Sequence, residues 1–479
     1  MDQARARARC PARSRAGFRR GAAVMTAASP QASALLFDSA AGPHLFVTDR
    51  SRVYGLERGV ADELAHRLAA ACSAAEADAL IAALTGVEQP RVMEQASVQP
   101  PPLRTLSLNL AQACNMACGY CYADEGRFGG RARSMPLEVA RASVDRLLAE
   151  SAPGEDLVLG FIGGEPLLNR RVLRATVDYA LQAARGAGRR MRFSLTTNAT
   201  LVDAEDAAFL HEHGFHVSVS LDGAQPGNDL LRPMRDGSGS YRRVLEALET
   251  MQRHGRPRHL AARVTVTPRS GELLPILQHH IGLGFDSVGF AAVLTSPDPS
   301  LAFDATDFDG FTRQMVACGR QALQELSAGR CFPFGNFETA MQEIHRGSHR
   351  PYPCGAGAGY LSVGASGGMY ACHRVIDEPA WAMGDVRTGT DAARRARHLT
   401  LHQVDRQQPC GSCWARYLCG GGCHHEVQRR GRIACDYIRD WLAFCLSAYT
   451  ELAAARPDYF SAARQQRAAG ADDARANTL

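Results

Sequence analysis

Between residues 103 and 290 the apolar positions follow two alternating rhythms. Short apolar or every-other-residue runs at 106–110 (Leu106, Leu108 and Leu110), 157–162, 192–196, 216–221, 262–266 and 287–290 read as strands. The stretches between them, at 137–150, 170–185, 203–213, 240–254 and 271–282, carry apolar residues at helical spacing. A chain that alternates strand and helix this regularly builds a parallel sheet, because each helix carries it back across one face to start the next strand in the same direction. Six such units predict an α/β fold based on a partial (β/α)6 TIM-like barrel rather than a closed eight-stranded one. Functional side chains are then expected just beyond the C-terminal ends of the strands.

The flanks differ from this centre. Residues 34–37 and 44–47 read as a hairpin and 59–71 and 74–84 as helices, so 33–98 predicts a small α+β module. Gln99-Pro100-Pro101-Pro102 follows, and three prolines without backbone donors form a stiff boundary. Residues 301–350 read as a helical connector between the core at 103–300 and a Gly- and Cys-rich region at 351–450 with short elements. Residues 451–479 are expected to be a tail.

Charge changes the picture only at the start. The net charge is +5, but the first 25 residues hold seven Arg and one Asp, which leaves the remainder close to neutral. A neutral body argues against nucleic-acid binding. Residues 1–32 are expected to be a disordered Arg-rich tail, or to lie before a true start at Met25. No apolar run is long enough for a membrane span and no secretory signal is visible, so a cytoplasmic protein is expected. The chain contains no lysine, which excludes a Schiff base on its own side chains.

Cysteine carries the chemistry. Three of the 15 cysteines stand at Cys114-Asn115-Met116-Ala117-Cys118-Gly119-Tyr120-Cys121, directly after the first barrel strand. Three thiolates hold three irons of a [4Fe–4S] cluster and leave the fourth open to a ligand, whereas structural zinc, the alternative, takes four closed ligands. This motif resembles the radical S-adenosylmethionine (SAM) superfamily. The resemblance implies that Cys114, Cys118 and Cys121 bind the cluster, that SAM chelates the open iron, and that one electron then releases a hydrogen-abstracting 5′-deoxyadenosyl radical. It also implies cofactor contacts from Tyr120, from Gly163, Gly164 and Glu165 at the end of the second strand, from Ser220 at the end of the fourth, and from Arg232, with Arg263 a second candidate for the SAM carboxylate. Arg232 reads alternatively as a solvated surface residue. The residues name no catalytic base.

A second constellation runs Cys354, Cys372, Cys410, Cys413, Cys419, Cys423, Cys435 and Cys445. By ligand count it fits two zinc ribbons. Its order resembles the SPASM domain of peptide- and protein-modifying radical SAM enzymes. That resemblance implies two auxiliary [4Fe–4S] clusters, and so three in all. Cys410, Cys413, Cys419 and Cys435 would hold the outer one, and Cys354, Cys372 and Cys423 the inner one. No cysteine follows Cys354 closely, so one inner iron is expected to be open to a substrate thiolate unless Cys445, on a predicted helix, fills it instead of packing. His424-His425-Glu426 reads as packing or as a metal site. Cys10, Cys72, Cys318 and Cys331 have no ligand spacing.

Sulfatase-maturing relatives carry an Asp after the second inner cysteine, where this chain has His373, which argues against formylglycine formation. The surrounding motifs resemble the maturases of quinohemoprotein amine dehydrogenase and the thioether-forming maturases of ribosomal peptides. The resemblance implies Cys-to-Asp/Glu thioether cross-links in a small Cys-containing protein, the gamma-subunit type, or Cys thioethers in a short peptide. It also implies an electron donor such as flavodoxin or ferredoxin. Residues 33–90 resemble, weakly, the winged-helix modules that bind leader peptides, and read otherwise as a plain cap. A non-catalytic iron–sulfur carrier or zinc regulator would not need the Gly163-Gly164-Glu165-Pro166, Ser220 and Arg232 set.

Overall fold

The computed structural model describes residues 34–70, 74–85 and 98–461. The Arg-rich start, Cys10, Cys72 and the end of the expected tail lie outside them. Three strands open the described chain, β1 (Ala34–Ser39), β2 (Gly42–Val47) and β3 (Arg52–Gly55), in an antiparallel sheet of that order, followed by helices Arg58–Ala70 and Ala74–Thr85. The six barrel strands are β4 (Thr105–Ala111), β5 (Leu157–Gly163), β6 (Met191–Thr197), β7 (His216–Ser220), β8 (His259–Val266) and β9 (Ser287–Ala292). They lie side by side in chain order, and every pairing is parallel. This is the partial (β/α)6 barrel expected from the alternation.

The helices close over one face because their apolar stripes match it. Helix Arg170–Gly186 buries Val172, Leu173, Val177 and Ala180, and helix Tyr241–His254 buries Val244, Leu248 and Met251. Along β8 Leu260, Ala262, Val264 and Val266 are buried with the core, so the period of two turns Arg263 to the other face. Phe161, Phe193 and Phe215 stack in the core with centroids 5.4 to 6.4 Å apart.

Beyond the barrel lie β10 (Tyr360–Val363), β11 (Gly368–Tyr370), β12 (Ala382–Asp385) and β13 (Gly389–Thr390). β10 pairs in parallel with β4, and β11, β12 and β13 follow in antiparallel order, giving one ten-stranded sheet. The Cys-rich region thus extends the barrel sheet past its first strand. These strands are two to four residues long, too short for a period to register. The helix Gln225–Leu231, which holds Pro226 and Gly227, was also not expected, nor was β3.

One expectation needs adjustment. The tail expected from residue 451 does not begin there: helix Cys435–Ala455 runs through that point, Leu452 is fully buried, and Phe460 stacks on His345 at 4.4 Å. The N-terminal module is not held by its linker alone. Leu35, Phe37 and Phe46 enter the main core, the Thr48 hydroxyl donates to the Trp414 carbonyl at 2.9 Å, and Asp49 forms a buried ion pair with Arg416.

Candidate functional site: three cysteine sets around a cleft

The loop after β4 carries Cys114, Cys118 and Cys121. Its backbone is braced by residues 233–235, with Ala117 N–H donating to the Pro233 carbonyl at 2.9 Å and Arg235 N–H to the Asn115 carbonyl at 3.3 Å. The end of β5 presses on its other side. Gly164 N–H donates to Ala111 and Glu165 N–H to Ala113. A Cβ on Gly164 would lie 2.2 Å from the Ala113 carbonyl oxygen, and one on Gly163 would lie 2.5 Å from that of Ala111. The approach these glycines permit is therefore that of β5 to the cysteine loop.

Glu165 has no exposed surface. Its carboxylate accepts from Leu167 N–H at 3.0 Å, the Thr197 hydroxyl at 2.8 Å and Asn198 N–H at 2.8 Å. Burial outweighs those bonds and raises its pKa to about 6. Three acceptor positions of about four are used, so one remains for a further donor. Asn198 continues the network, its amide donating to Asn115 Oδ1 at 2.9 Å and lying 3.7 Å from Cys114 Sγ. Sequence reading missed Thr197 and Asn198; their signal was a polar pair at the C-terminal end of a barrel strand.

On the far side of the loop, Tyr120, Asp222 and Arg232 form a buried cluster. The Tyr120 hydroxyl donates to Asp222 and accepts from Arg232, whose guanidinium lies 3.9 Å from Asp222. Asp222 also accepts from Thr265 N–H at 2.8 Å. Arg232 is only 7% exposed, which removes the solvated-surface reading, and its charge acts on Cys118 and Glu165. Asp222, two residues beyond Ser220, was not among the residues expected at the site. Ser220 ends β7 in register with Arg263 on β8, so both stand at the C-terminal rim of the barrel.

Seven of the remaining cysteines fall into two sets. Cys410 interacts electrostatically with Cys413, Cys419 and Cys435, and all four line one cavity with Arg432, Arg439, Leu294 and Ile438. Cys419 accepts backbone N–H bonds from Gly421 and Gly422, whose φ values of 98° and 80° aim those donors at the sulfur. Cys372 interacts with Cys354 and Cys423, and each of these three sulfurs accepts backbone N–H donors, from Arg374 to Cys372 at 3.3 Å for example. Cys445 stands apart: it is fully buried near Tyr437 and lines neither this cavity nor the cleft below. Burial raises the thiols of Cys114, Cys372 and Cys410 to about 12, so a bound metal must displace their protons.

The donor chemistry of these sets fits iron–sulfur clusters. A tetrahedral zinc with 2.3 Å bonds holds its sulfurs about 3.8 Å apart. Among the described residues no three of these cysteines bring their sulfurs within 4.8 Å of one another, whereas a four-iron cluster spreads its thiolates wider than a single ion does.

Between the first set and the inner one lies a cleft lined by Tyr122 and Phe128 of the cysteine loop, Thr295–Pro297 after β9, and Arg374, His425 and Arg429. Arg374 pairs with Glu426 at 2.9 Å and sits 4.8 Å over the Tyr122 ring. Arg263 acts on Arg374 and Tyr122, which puts it beside this cleft. His373 meets the Tyr360 hydroxyl at 3.1 Å, and burial lowers its pKa to about 3, so it is neutral. His424-His425-Glu426 divides: Glu426 pairs with Arg374, His425 faces the cleft, and His424 is buried against His398 and His402.

The profile of the radical SAM superfamily matches residues 108–270, from β4 to just past β8. A serine-type anaerobic sulfatase-maturating enzyme of Klebsiella aerogenes is 25% identical over 372 residues, 75% of this chain and 89% of that protein. The structure of the sulfatase-maturating enzyme anSMEcpe with bound AdoMet and Kp18Cys peptide aligns with a TM-score of 0.63 at 19% identity, covering 74% of this chain and 99% of that one. That of Streptococcus suis SuiB bound to S-adenosylmethionine aligns with a TM-score of 0.50 at 14% identity, covering 84% and 96%. Residues 108–270 are a radical SAM domain, and the protein that carries it is an enzyme using SAM and [4Fe–4S] cofactors.

Proposed function

We propose that this enzyme is a SPASM-type maturase that forms Cys-to-Asp/Glu thioether cross-links in a small Cys-containing protein, the gamma subunit of quinohemoprotein amine dehydrogenase or its like. Cys114, Cys118 and Cys121 hold the SAM-binding cluster in this reading, with Glu165, Ser220, Arg232 and Arg263 toward SAM. Cys410, Cys413, Cys419 and Cys435 hold the outer auxiliary cluster, and Cys354, Cys372 and Cys423 the inner one. When bound, SAM with its cluster supplies the hydrogen-abstracting radical, and the auxiliary clusters supply electron acceptors. A small protein such as flavodoxin or ferredoxin supplies the reducing electron.

The observation that carries the reading is the inner set of three sulfurs. Cys445, the cysteine that could have completed it, is fully buried elsewhere near Tyr437. Three cysteines leave room for a substrate thiolate, a soft ligand that is deprotonated once bound. The residue after Cys372 supports the same direction: where sulfatase-maturing enzymes resemble this chain but carry an aspartate, His373 is neutral and engaged with Tyr360. The peptide bound to anSMEcpe supports a peptide segment as occupant of the cleft at Tyr122 and Arg374.

Each thioether removes one hydrogen from carbon and one from the thiol, so product mass falls by a hydrogen pair per link. The reduced enzyme, given SAM and a candidate subunit, is expected to produce that loss, with fragmentation placing links between Cys and Asp or Glu. The same substrate with Ser at the linkage site is expected to leave the inner cluster's spectrum unchanged, while the Cys form alters it. Identical spectra for both would refute the open site. Links confined to a short ribosomal peptide would favour the second thioether reading.

A further inference from the structure

We infer that His398, His402 and His424 form a binding site for one divalent transition-metal ion, zinc by its donor set, separate from the three cysteine sets. His398 and His402 stand one turn apart on helix Ala392–His402 and so share a face. His424 opens helix His424–Arg430 from the opposite side. The ring centroids are 4.2 Å apart for His398 and His402, 4.2 Å for His402 and His424, and 5.3 Å for His398 and His424. One nitrogen from each ring lies within 4.8 Å of the others, and among the described residues this is the group of three potential ligands that meets that spacing.

Packing alone does not account for the arrangement. His398 and His424 are 7% and 5% exposed, yet His398 Nε2 and both ring nitrogens of His424 have no hydrogen-bond partner. A buried polar atom of this kind is destabilising unless something satisfies it. The other nitrogens are already fixed. His402 Nδ1 meets the His398 carbonyl at 2.8 Å, which turns Nε2 toward the centre, and His398 bonds to the Ala356 backbone through its remaining nitrogen. A ligating histidine whose second nitrogen is held by a backbone carbonyl is the usual outer shell of a metal site. Trp381 covers the pair, 5.5 Å from His398 and 5.8 Å from His402.

A tetrahedral ion with bonds of 2.0–2.1 Å needs nitrogens about 3.3 Å apart. Rotation of His424, which no hydrogen bond restrains, draws the site together. Three neutral imidazoles suit zinc and its neighbours and offer nothing to calcium or magnesium. The fourth position is left to water. Because His424 follows Cys423 directly, the ion ties helix Ala392–His402 to the segment that presents an inner-set cysteine.

The test uses the full-length enzyme with its clusters reconstituted anaerobically, metals being counted by mass spectrometry. The wild-type protein is expected to keep about one zinc per chain beside its iron. His402→Gln is expected to lose most of that zinc and retain its iron. Equal zinc in the two proteins, or loss of iron with zinc unchanged, overturns the assignment. Wild-type protein needs no substitution for the second measurement. Cobalt taken up in place of the zinc is expected to show ligand-field bands without sulfur-to-metal charge transfer, and a charge-transfer band would place the ion on thiolates and overturn it. Removing the zinc by chelation is expected to lower the thermal midpoint with iron intact, because an ion that binds only the folded state stabilises it; an unchanged midpoint overturns the site.

Discussion

Replacing Glu165 with glutamine separates its role in the fold from the role proposed for it toward SAM. The carboxylate accepts three bonds, all from donors: Leu167 N–H, the Thr197 hydroxyl and Asn198 N–H. A glutamine has one carbonyl oxygen, so in either orientation its NH2 group faces a backbone N–H, at a cost of about 1–3 kcal/mol. A second effect opposes this. A carboxyl held at about 6 rather than 4.5 carries about 2 kcal/mol of burial cost when ionised. The sign follows from linkage: that cost is absent below pH 4.5, grows as pH rises through 6, and is fully present at neutral pH. The amide never carries it. The two effects nearly cancel, so at neutral pH Glu165→Gln is expected to unfold within about 1 kcal/mol of the wild-type enzyme. Toward SAM nothing cancels. Losing a charge-assisted bond to an ammonium group costs about 1.5–3 kcal/mol, which is roughly a 10- to 150-fold rise in Kd. Equilibrium dialysis of SAM against both reconstituted proteins, beside denaturation curves, measures the two quantities. Unchanged SAM affinity would refute the contact, and a collapse in stability would refute the compensation.

Three further outcomes are expected. Changing Cys114, Cys118 and Cys121 together to alanine should remove about a third of the iron and abolish SAM cleavage; retained cleavage would refute the ligand set. Asp49→Ala weakens a buried ion pair with Arg416, whose guanidinium also lies 3.5 Å from Asp405, and should cost on the order of 3 kcal/mol, with an unchanged denaturation midpoint as the contrary result. If the N-terminal module captures an extended substrate segment, β3, the edge left unpaired among the described strands, is the template, since β1 packs along helix Cys435–Ala455 through Thr450 and Ser39 at 2.9 Å. Substrate should then slow amide exchange at residues 52–55, and unchanged exchange there would favour a plain cap.

Much of this protein is written locally. The six barrel strands and five of the helices between them are visible because one face of each packs on the core, and burial imposes periods of 2 and 3.6 on the residues. The first cysteine set is legible because its three thiols lie within eight residues, on a loop whose place follows from the strand before it. Strands β10–β13 left no such trace, since two to four residues beside glycines carry no period, and their place next to β4 depends on a pairing across some 250 residues of chain. The same holds for the grouping of the later cysteines. Spacing alone left Cys445 open as a ligand; only the packing of helix Cys435–Ala455 turned it into the core. Arg232 could be read as a surface residue until Tyr120 and Asp222, about a hundred residues before and ten before it, closed around its charge. His398, His402 and His424 are separated in sequence on two helices, and only the tertiary fold brings their ring nitrogens together. The sequence by itself determined which segments repeat with a core-facing period and which donors are neighbours along the chain. Tertiary structure alone decided which distant donors share a site, because their distances depend on how whole elements pack and not on any local preference.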